Sequence, residues 1–228
     1  MKKGFTLAEI LITLSIVGIV AVLTIPSVMK SYKNRMYTAK LEKVYSQLNN
    51  ATSALMNDER VDNFYETQAG KAPAKNAKGE YIAGFPYFAN TYLKNIKKDC
   101  LDSSEPCATQ GAGTYKTVTG VAVGGFVSSY CVQTVNGVTV CGVYNSAKTC
   151  MSLAVDVNGM DGPNIPGRDV FSMDIHKDGS ISDFGSNCND SNFGCEPAKC
   201  TKSLTVDAWA AACGCLSAII DSGWKMEY

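Results

Sequence analysis

The chain has 228 residues, 46% hydrophobic and 18% charged, enough for one ordinary globular domain with an appendage. Its 21 Lys and Arg balance 21 Asp and Glu, so no basic surplus exists to neutralise a phosphate backbone and nucleic acid is not an expected partner. One histidine, His176, leaves little room for His-based metal sites or nucleophile–histidine pairs, and 10 cysteines point to disulfides in an oxidising compartment.

From Phe5 to Ile25 the chain reads FTLAEILITLSIVGIVAVLTI, with Glu9 its one ionisable side chain. At about 1.5 Å per residue such a helix is about 30 Å long, the thickness of a bilayer's hydrocarbon core. Lys2 and Lys3 precede the run as in a secretory signal. Pro26-Ser27-Val28-Met29-Lys30 follows it, however, where a small-x-small cleavage site would stand. The expectation is a membrane-spanning helix. A carboxylate inside one is costly, so Glu9 is a functional candidate whose complement is a cation.

Gly4-Phe5-Thr6-Leu7-Ala8-Glu9, after Lys2-Lys3 and before an uncharged run, resembles the class III signal of type IV pilins and type II secretion pseudopilins. The resemblance implies that a prepilin peptidase cuts after Gly4, that the new N-terminal Phe5 is N-methylated, and that Glu9 is the assembly acid. It implies a leader at 1–4 and a single pass through the bacterial inner membrane with the C-terminal domain outside the cytoplasm. The implied partners are other pilin-like subunits and the inner-membrane assembly machinery, with a periplasmic pseudopilus or a cell-surface pilus as the end state. Gly18 and Pro26 stand where many pilins carry a helix-softening glycine and proline. The chemistry agrees. Gly4 leaves the scissile bond uncrowded. Cleavage places an α-amino cation at the tip of an apolar helix, one turn from Glu9. A staggered neighbour would bring its own amine to that acid, and such a buried pair sets register more than affinity.

Past Pro26 the pattern becomes one-faced: Tyr37, Leu41, Val44, Leu48, Ala51 and Leu55 recur at helical spacing. This predicts one long helix over 5–57, membrane-spanning at 5–25 and bent near Pro26. Lys30, Lys33, Arg35, Lys40 and Lys43 follow the apolar run, as for a headgroup surface or a filament exterior. Residues 58–228 then form an exported, cysteine-rich globular domain. It opens with a polar connection over 58–84 and a short helix within 85–98. Strands follow at 115–123, 125–133, 138–144, 151–157, 170–176 and 180–184, with turns at Val135-Asn136-Gly137 and Lys177-Asp178-Gly179. A last helix is expected over 206–220. The fold class is α+β: a helical spine on an antiparallel sheet, as in pilins.

The cysteines are Cys100, Cys107, Cys131, Cys141, Cys150, Cys188, Cys195, Cys200, Cys213 and Cys215, all beyond the long helix. A hairpin loop with Gly137 left-handed would set Cys131 opposite Cys141, and Cys100–Cys107 would close a short loop. Cys213 and Cys215 are too close to pair comfortably and should bridge elsewhere. Cys195, Cys200, Cys213 and Cys215 form an alternative zinc tetrad, at a spacing unlike the usual knuckles. The run Asp156-Val-Asn158-Gly159-Met-Asp161-Gly162-Pro163-Asn164, followed by Asp169, has two readings. One is a calcium loop built on Asp156, Asn158 and Asp161; the other is a set of Asx turns. Asp161 falls one residue late for an EF-hand register, and no closing glutamate follows. Apart from calcium, no cofactor is indicated.

Three functions compete: a structural pilin or pseudopilin subunit, an exported binding or adhesive minor pilin, and a membrane-anchored enzyme. No nucleophile elbow, phosphate-binding loop, HExxH or dinucleotide fingerprint is present. His176, between Asp174 and Asp178, reads as a strand-end residue. A non-enzymatic subunit is the leading expectation.

Overall fold

The computed structural model describes Gly4 and residues 6–108, 114–117, 119–124, 130–145, 150–185, 200 and 212–228. Two compact units divide the chain, 1–36 and 37–228. Helix α1, Leu7–Glu59, runs through both and continues through Pro26.

Up to residue 36, α1 is exposed on almost every side, with apolar residues such as Leu7, Leu14, Val22 and Val28 turned outward all round. A helix that is apolar all round needs an environment other than water. From Tyr37 onward a single stripe is buried: Tyr37, Thr38, Leu41, Val44, Leu48, Ala51, Thr52 and Leu55. The helix stops where Arg60 takes a left-handed φ of 56° and the Val61 N–H returns to the Met56 carbonyl at 3.1 Å, satisfying an end carbonyl.

The second unit is built on a six-stranded antiparallel sheet. Its strands are β3 (Asn95–Lys98), β6 (Tyr130–Thr134), β7 (Thr139–Asn145), β8 (Cys150–Asp156), β9 (Val170–Ile175) and β10 (Ile181–Asp183), in the order β10-β9-β8-β7-β6-β3. The stretch from β6 to β10 is a meander, and β3 closes the far edge. Side chains of α1 bond to the ends of these strands. Lys40 Nζ donates to the Val157 carbonyl, Lys43 Nζ to Asn136 Oδ1, Tyr45 Oη to the Ile181 carbonyl and Thr52 Oγ1 to the Gly179 carbonyl, at 2.9–3.0 Å. Lys40 and Lys43, two of the lysines expected on a headgroup surface or a filament exterior, thus also bond to residues of the second unit, Lys43 from an exposed position.

The predicted polar connection contains a 3-10 turn at Phe64–Glu66 and a small hairpin, β1 (Ala74–Lys75) and β2 (Tyr81–Ala83). Helix α2 (Gly84–Tyr92) follows and lays Phe85 over Gly142, where an added Cβ would lie 2.2 Å from the ring. The helix expected within 85–98 ends early. Leu93 is extended, Asn95 Nδ2 donates to the Ala89 carbonyl at 2.6 Å, and Asn95–Lys98 joins the sheet as β3. The strand expected over 115–123 is a tight hairpin of β4 (Tyr115–Lys116) and β5 (Ala122–Val123). Gly120, with φ 86°, returns its N–H to the Thr117 carbonyl at its tip. The last helix, α3, is Cys215–Asp221; residues 212–214 before it form a turn, and 206–211 lie outside the described residues.

Cys131 and Cys141 are register partners on β6 and β7 across the turn in which Gly137 has φ 75°, and they are disulfide-bonded. Cys100–Cys107 and Cys200–Cys215 are the other bridges formed between described residues. The first two bridges sit in one buried cluster with Leu101, Ala108, Tyr115, Val123, Ala154 and Val170, so they serve as core as well as crosslinks. Closing loops of 7, 10 and 15 residues contributes about 2–3 kcal/mol each by chain entropy.

Candidate functional site

At the N-terminus the local chemistry is a capping box. The Thr6 N–H and hydroxyl both donate to Glu9 Oε2 at 2.8 Å, and the Glu9 N–H donates to Thr6 Oγ1 at 3.3 Å. Thr6 is the cap and Glu9 the third helical residue, so each satisfies a donor that the helix start leaves open. Beyond it, Thr13, Ser15 and Thr24 turn their hydroxyls back to the carbonyls of Ile10, Leu11 and Val20 at 2.8–2.9 Å. Every Ser, Thr and Glu side chain from Thr6 to Thr24 is thus bonded within the helix itself. This is the condition for a helix that crosses hydrocarbon, and α1 is long and apolar enough to do so. Gly4 is exposed, with open space where a side chain would stand, and Phe5 lies outside the described residues.

A second polar cluster fills the connection between β8 and β9. Its base is closed by the Asp156–Val170 pairing and by the Val157 N–H on the Asp169 carbonyl at 2.8 Å. Asp156 Oδ1 accepts the N–H groups of Asn158 and Gly159 at 3.1 and 2.7 Å, an Asx turn. Asp169 accepts those of Asn164 and Ile165 at 2.9 and 2.5 Å. Asn158 Nδ2 donates to the carbonyls of Asp161 and Gly162. The side chain of Asp161 is exposed, and this residue enters the loop's hydrogen bonding through its main-chain carbonyl.

Both buried acids are perturbed. Burial first, and the neighbouring Asp169 charge second, push Asp156 well above the usual carboxylate range. Burial likewise raises Asp169, against the hydrogen bonds that favour its charged form. Three side-chain oxygens here, Asp156 Oδ2, Asn158 Oδ1 and Asn164 Oδ1, are buried without a hydrogen-bond partner. Among the described residues no group of three or more His, Cys, Asp or Glu could hold a metal ion.

The remaining candidates resolve as structure. His176 is buried just past β9, with Nε2 2.5 Å from Ser182 Oγ, while Asp174 accepts from Ser152 Oγ at 2.6 Å and the Gly185 N–H at 2.9 Å. Asp178 holds the turn by accepting from the Ser180 N–H and hydroxyl. In the zinc tetrad, Cys200 and Cys215 are bonded to each other and Cys213 is also disulfide-bonded, so these sulfurs are not free thiolates. Cys188 and Cys195 lie outside the described residues, and Cys150 is described by its backbone in β8.

Residues 1–25 match the family model described as the prokaryotic N-terminal methylation motif, the prepilin signal of type IV pilins and pseudopilins. No curated protein and no solved structure matches the chain. The chain is thus pilin-like at its processing signal. An exported protein anchored by its N-terminal helix, handled by a prepilin peptidase and bound for filament assembly in general, is what that signal supports.

Proposed function

We propose that the chain is a structural subunit of a type IV pilus-like filament or a type II secretion pseudopilus, without catalytic activity of its own. The observation that carries this reading is the coincidence of the methylation motif with a helix start that is apolar on all sides and has no unsatisfied polar side chain. Such a surface exchanges lipid for neighbouring helices without exposing a polar group in either setting. Glu9 is then the one acid that distinguishes the two, because a filament presents it with the amine of another subunit.

Mass spectrometry of the mature chain tests the processing half of the proposal. It should begin at Phe5 with one added methyl, and Gly4→Leu should leave a full-length precursor in the inner membrane. Recovery of the chain in sheared surface filaments identifies a pilus, and recovery in periplasmic assemblies identifies a pseudopilus. A mature chain that still begins at Met1 in cells with an active prepilin peptidase would overturn the reading.

A further inference from the structure

Where α2 meets β6 and β7, aromatic rings surround a cavity of about 380 Å³ whose walls include Tyr81, Phe85, Pro86, Asp99, Tyr130 and Tyr144. Tyr130 and Gly142 are register partners, and because Gly142 has no side chain the Phe85 ring settles against its backbone. Tyr130 is steeply tilted to both neighbours: its ring centroid is 5.2 Å from that of Tyr81 at 69°, and 6.2 Å from that of Phe85 at 68°. Rings at such angles wall a space on more than one side, and each face carries the negative end of a quadrupole. The walls are also held in place. Asn90 Nδ2 donates to the Tyr130 hydroxyl at 3.1 Å, and the adjacent Cys131 is bridged to Cys141. Asp99 stands on the lip with a left-handed φ of 49°, which Asp tolerates better than most residues. Cys100 fixes it from the next position, with its N–H on the Cys131 carbonyl at 3.0 Å and its sulfur bonded to Cys107.

Among the residues that line the cleft Asp99 is the one charge, it is exposed, and no ion pair holds it among the described residues. Its field reaches the rings: burial first, and the Asp99 charge with it, push the Tyr130 phenol up against the Asn90 hydrogen bond. A carboxylate beside aromatic faces attracts a cation that carries an apolar stem, with the charge at the acid and the carbons on the rings. The chain makes one such contact itself, since Lys75 Nζ lies 4.3 Å over the Tyr81 centroid, although Lys75 does not line the cleft. A sugar would need several directed hydrogen bonds, and the Tyr130 hydroxyl is already engaged by Asn90. We propose that this cleft binds a lysine side chain of a partner protein, with the ammonium beside Asp99 and the four-carbon stem against Tyr81, Tyr130 and Tyr144. The exported domain then has a recognition function that does not depend on a filament role.

The test is saturation-transfer NMR on the full chain in a nonionic detergent, with Nα-acetyl-lysine methylamide as the probe. One ammonium in a half-open site should bind saturably, with a dissociation constant in the millimolar range. Acetylating the side-chain nitrogen removes the charge and keeps the stem, and that probe should bind about tenfold more weakly. Asp99→Asn suits the same φ at an exposed position, so it should fold and weaken binding about threefold. Tyr81→Leu keeps an apolar wall but removes a ring face, and should weaken binding about fivefold. Asp102→Asn changes an exposed acid outside the cleft and should leave binding unchanged. Thermal unfolding of each variant separates lost binding from lost folding. A wild type without saturable binding would overturn the proposal. So would an acetylated probe that binds equally, undiminished binding in Asp99→Asn or Tyr81→Leu, an Asp102→Asn loss equal to that of Asp99→Asn, or a stronger response to methyl glucoside than to the lysine probe.

Discussion

Replacing Glu9 separates the two roles that its position gives it. In the isolated helix its carboxylate receives two hydrogen bonds from Thr6 at 2.8 Å. Losing a cap of this kind changes a local helix equilibrium by about fivefold. Glu9→Ala should therefore fray the first turn and leave membrane insertion and cleavage after Gly4 near normal. In a filament the same substitution strands the buried α-amino cation of a neighbour, which lowers each association step by on the order of a hundredfold or more. Cleaved monomer should accumulate, and filaments should be few or absent. Glu9→Gln keeps an acceptor for the Thr6 donors but carries no charge, so it should repair the helix start and not assembly. Thr6→Ala does the reverse, weakening the box while keeping the acid. The assay pairs an immunoblot for precursor and mature chain with electron microscopy of sheared filaments. If Glu9→Gln assembles as well as wild type, charge is not what position 9 supplies and the ion-pair account is wrong.

Two further predictions concern the exported domain. Gly142→Ala should lower thermal stability by about 1–3 kcal/mol, because its Cβ would meet the buried Phe85 ring at 2.2 Å; adding Phe85→Leu should recover part of that loss in a double-mutant cycle. Asp183 accepts the N–H groups of Gly214 and Ser217 at the start of α3, and burial pushes its carboxyl up to about 6. A folded-state value raised above the unfolded one means that the native state holds the proton more firmly. Its contribution to stability is therefore present below about pH 4 and lost as pH rises to about 6. Asp183→Asn should flatten that part of the stability–pH curve, by at most about 3 kcal/mol, and an unchanged curve would show that Asp183 does not titrate in this window.

The parts of the fold legible in the sequence were those written in local periodicity and turn chemistry. The Tyr37–Leu55 stripe follows from 3.6-residue spacing, and the Cys131–Cys141 bridge follows once Gly137 closes a three-residue loop. What failed was decided at a distance. Ile96 continues the helical spacing of Phe88, Tyr92 and Leu93, but Asn95–Lys98 pairs at the sheet edge beside β6 and Asn95 caps the end of α2. At 115–123, Thr and Val enrichment suggested a single strand, while the Gly120 turn divides it into two-residue pieces. In the acidic loop, Asp169 joins Asp156 only because β8 and β9 pair. That relation lies outside any linear motif, whereas Asp161 stands within the acidic run, one residue late for an EF-hand register, and faces water. Thr6-x-x-Glu9 is the opposite case. The capping box is written in four residues, and in it the acid has a near partner, Thr6, as well as the distant cation its position implies.

That near partner changes how the N-terminal helix must be understood. A carboxylate with no contact in the monomer would make the membrane-inserted state the strained one, and assembly would relieve it. Here Glu9 is already bonded to Thr6, and the hydroxyls of Thr13, Ser15 and Thr24 are bonded to their own backbone. Among the described residues, the Ser, Thr and Glu side chains from Thr6 to Thr24 thus leave no polar demand unmet that would drive the monomer out of the bilayer, and apolar contact with lipid is as good as apolar contact with another helix. Polar interactions then act on assembly through what is added, not through what is released. In the proposed processing, cleavage after Gly4 would supply that addition, since it would create an ammonium at the helix tip which the precursor does not have. On this argument processing is the switch: before it, Glu9 serves only as a cap, and after it the same carboxylate can hold a neighbour in register.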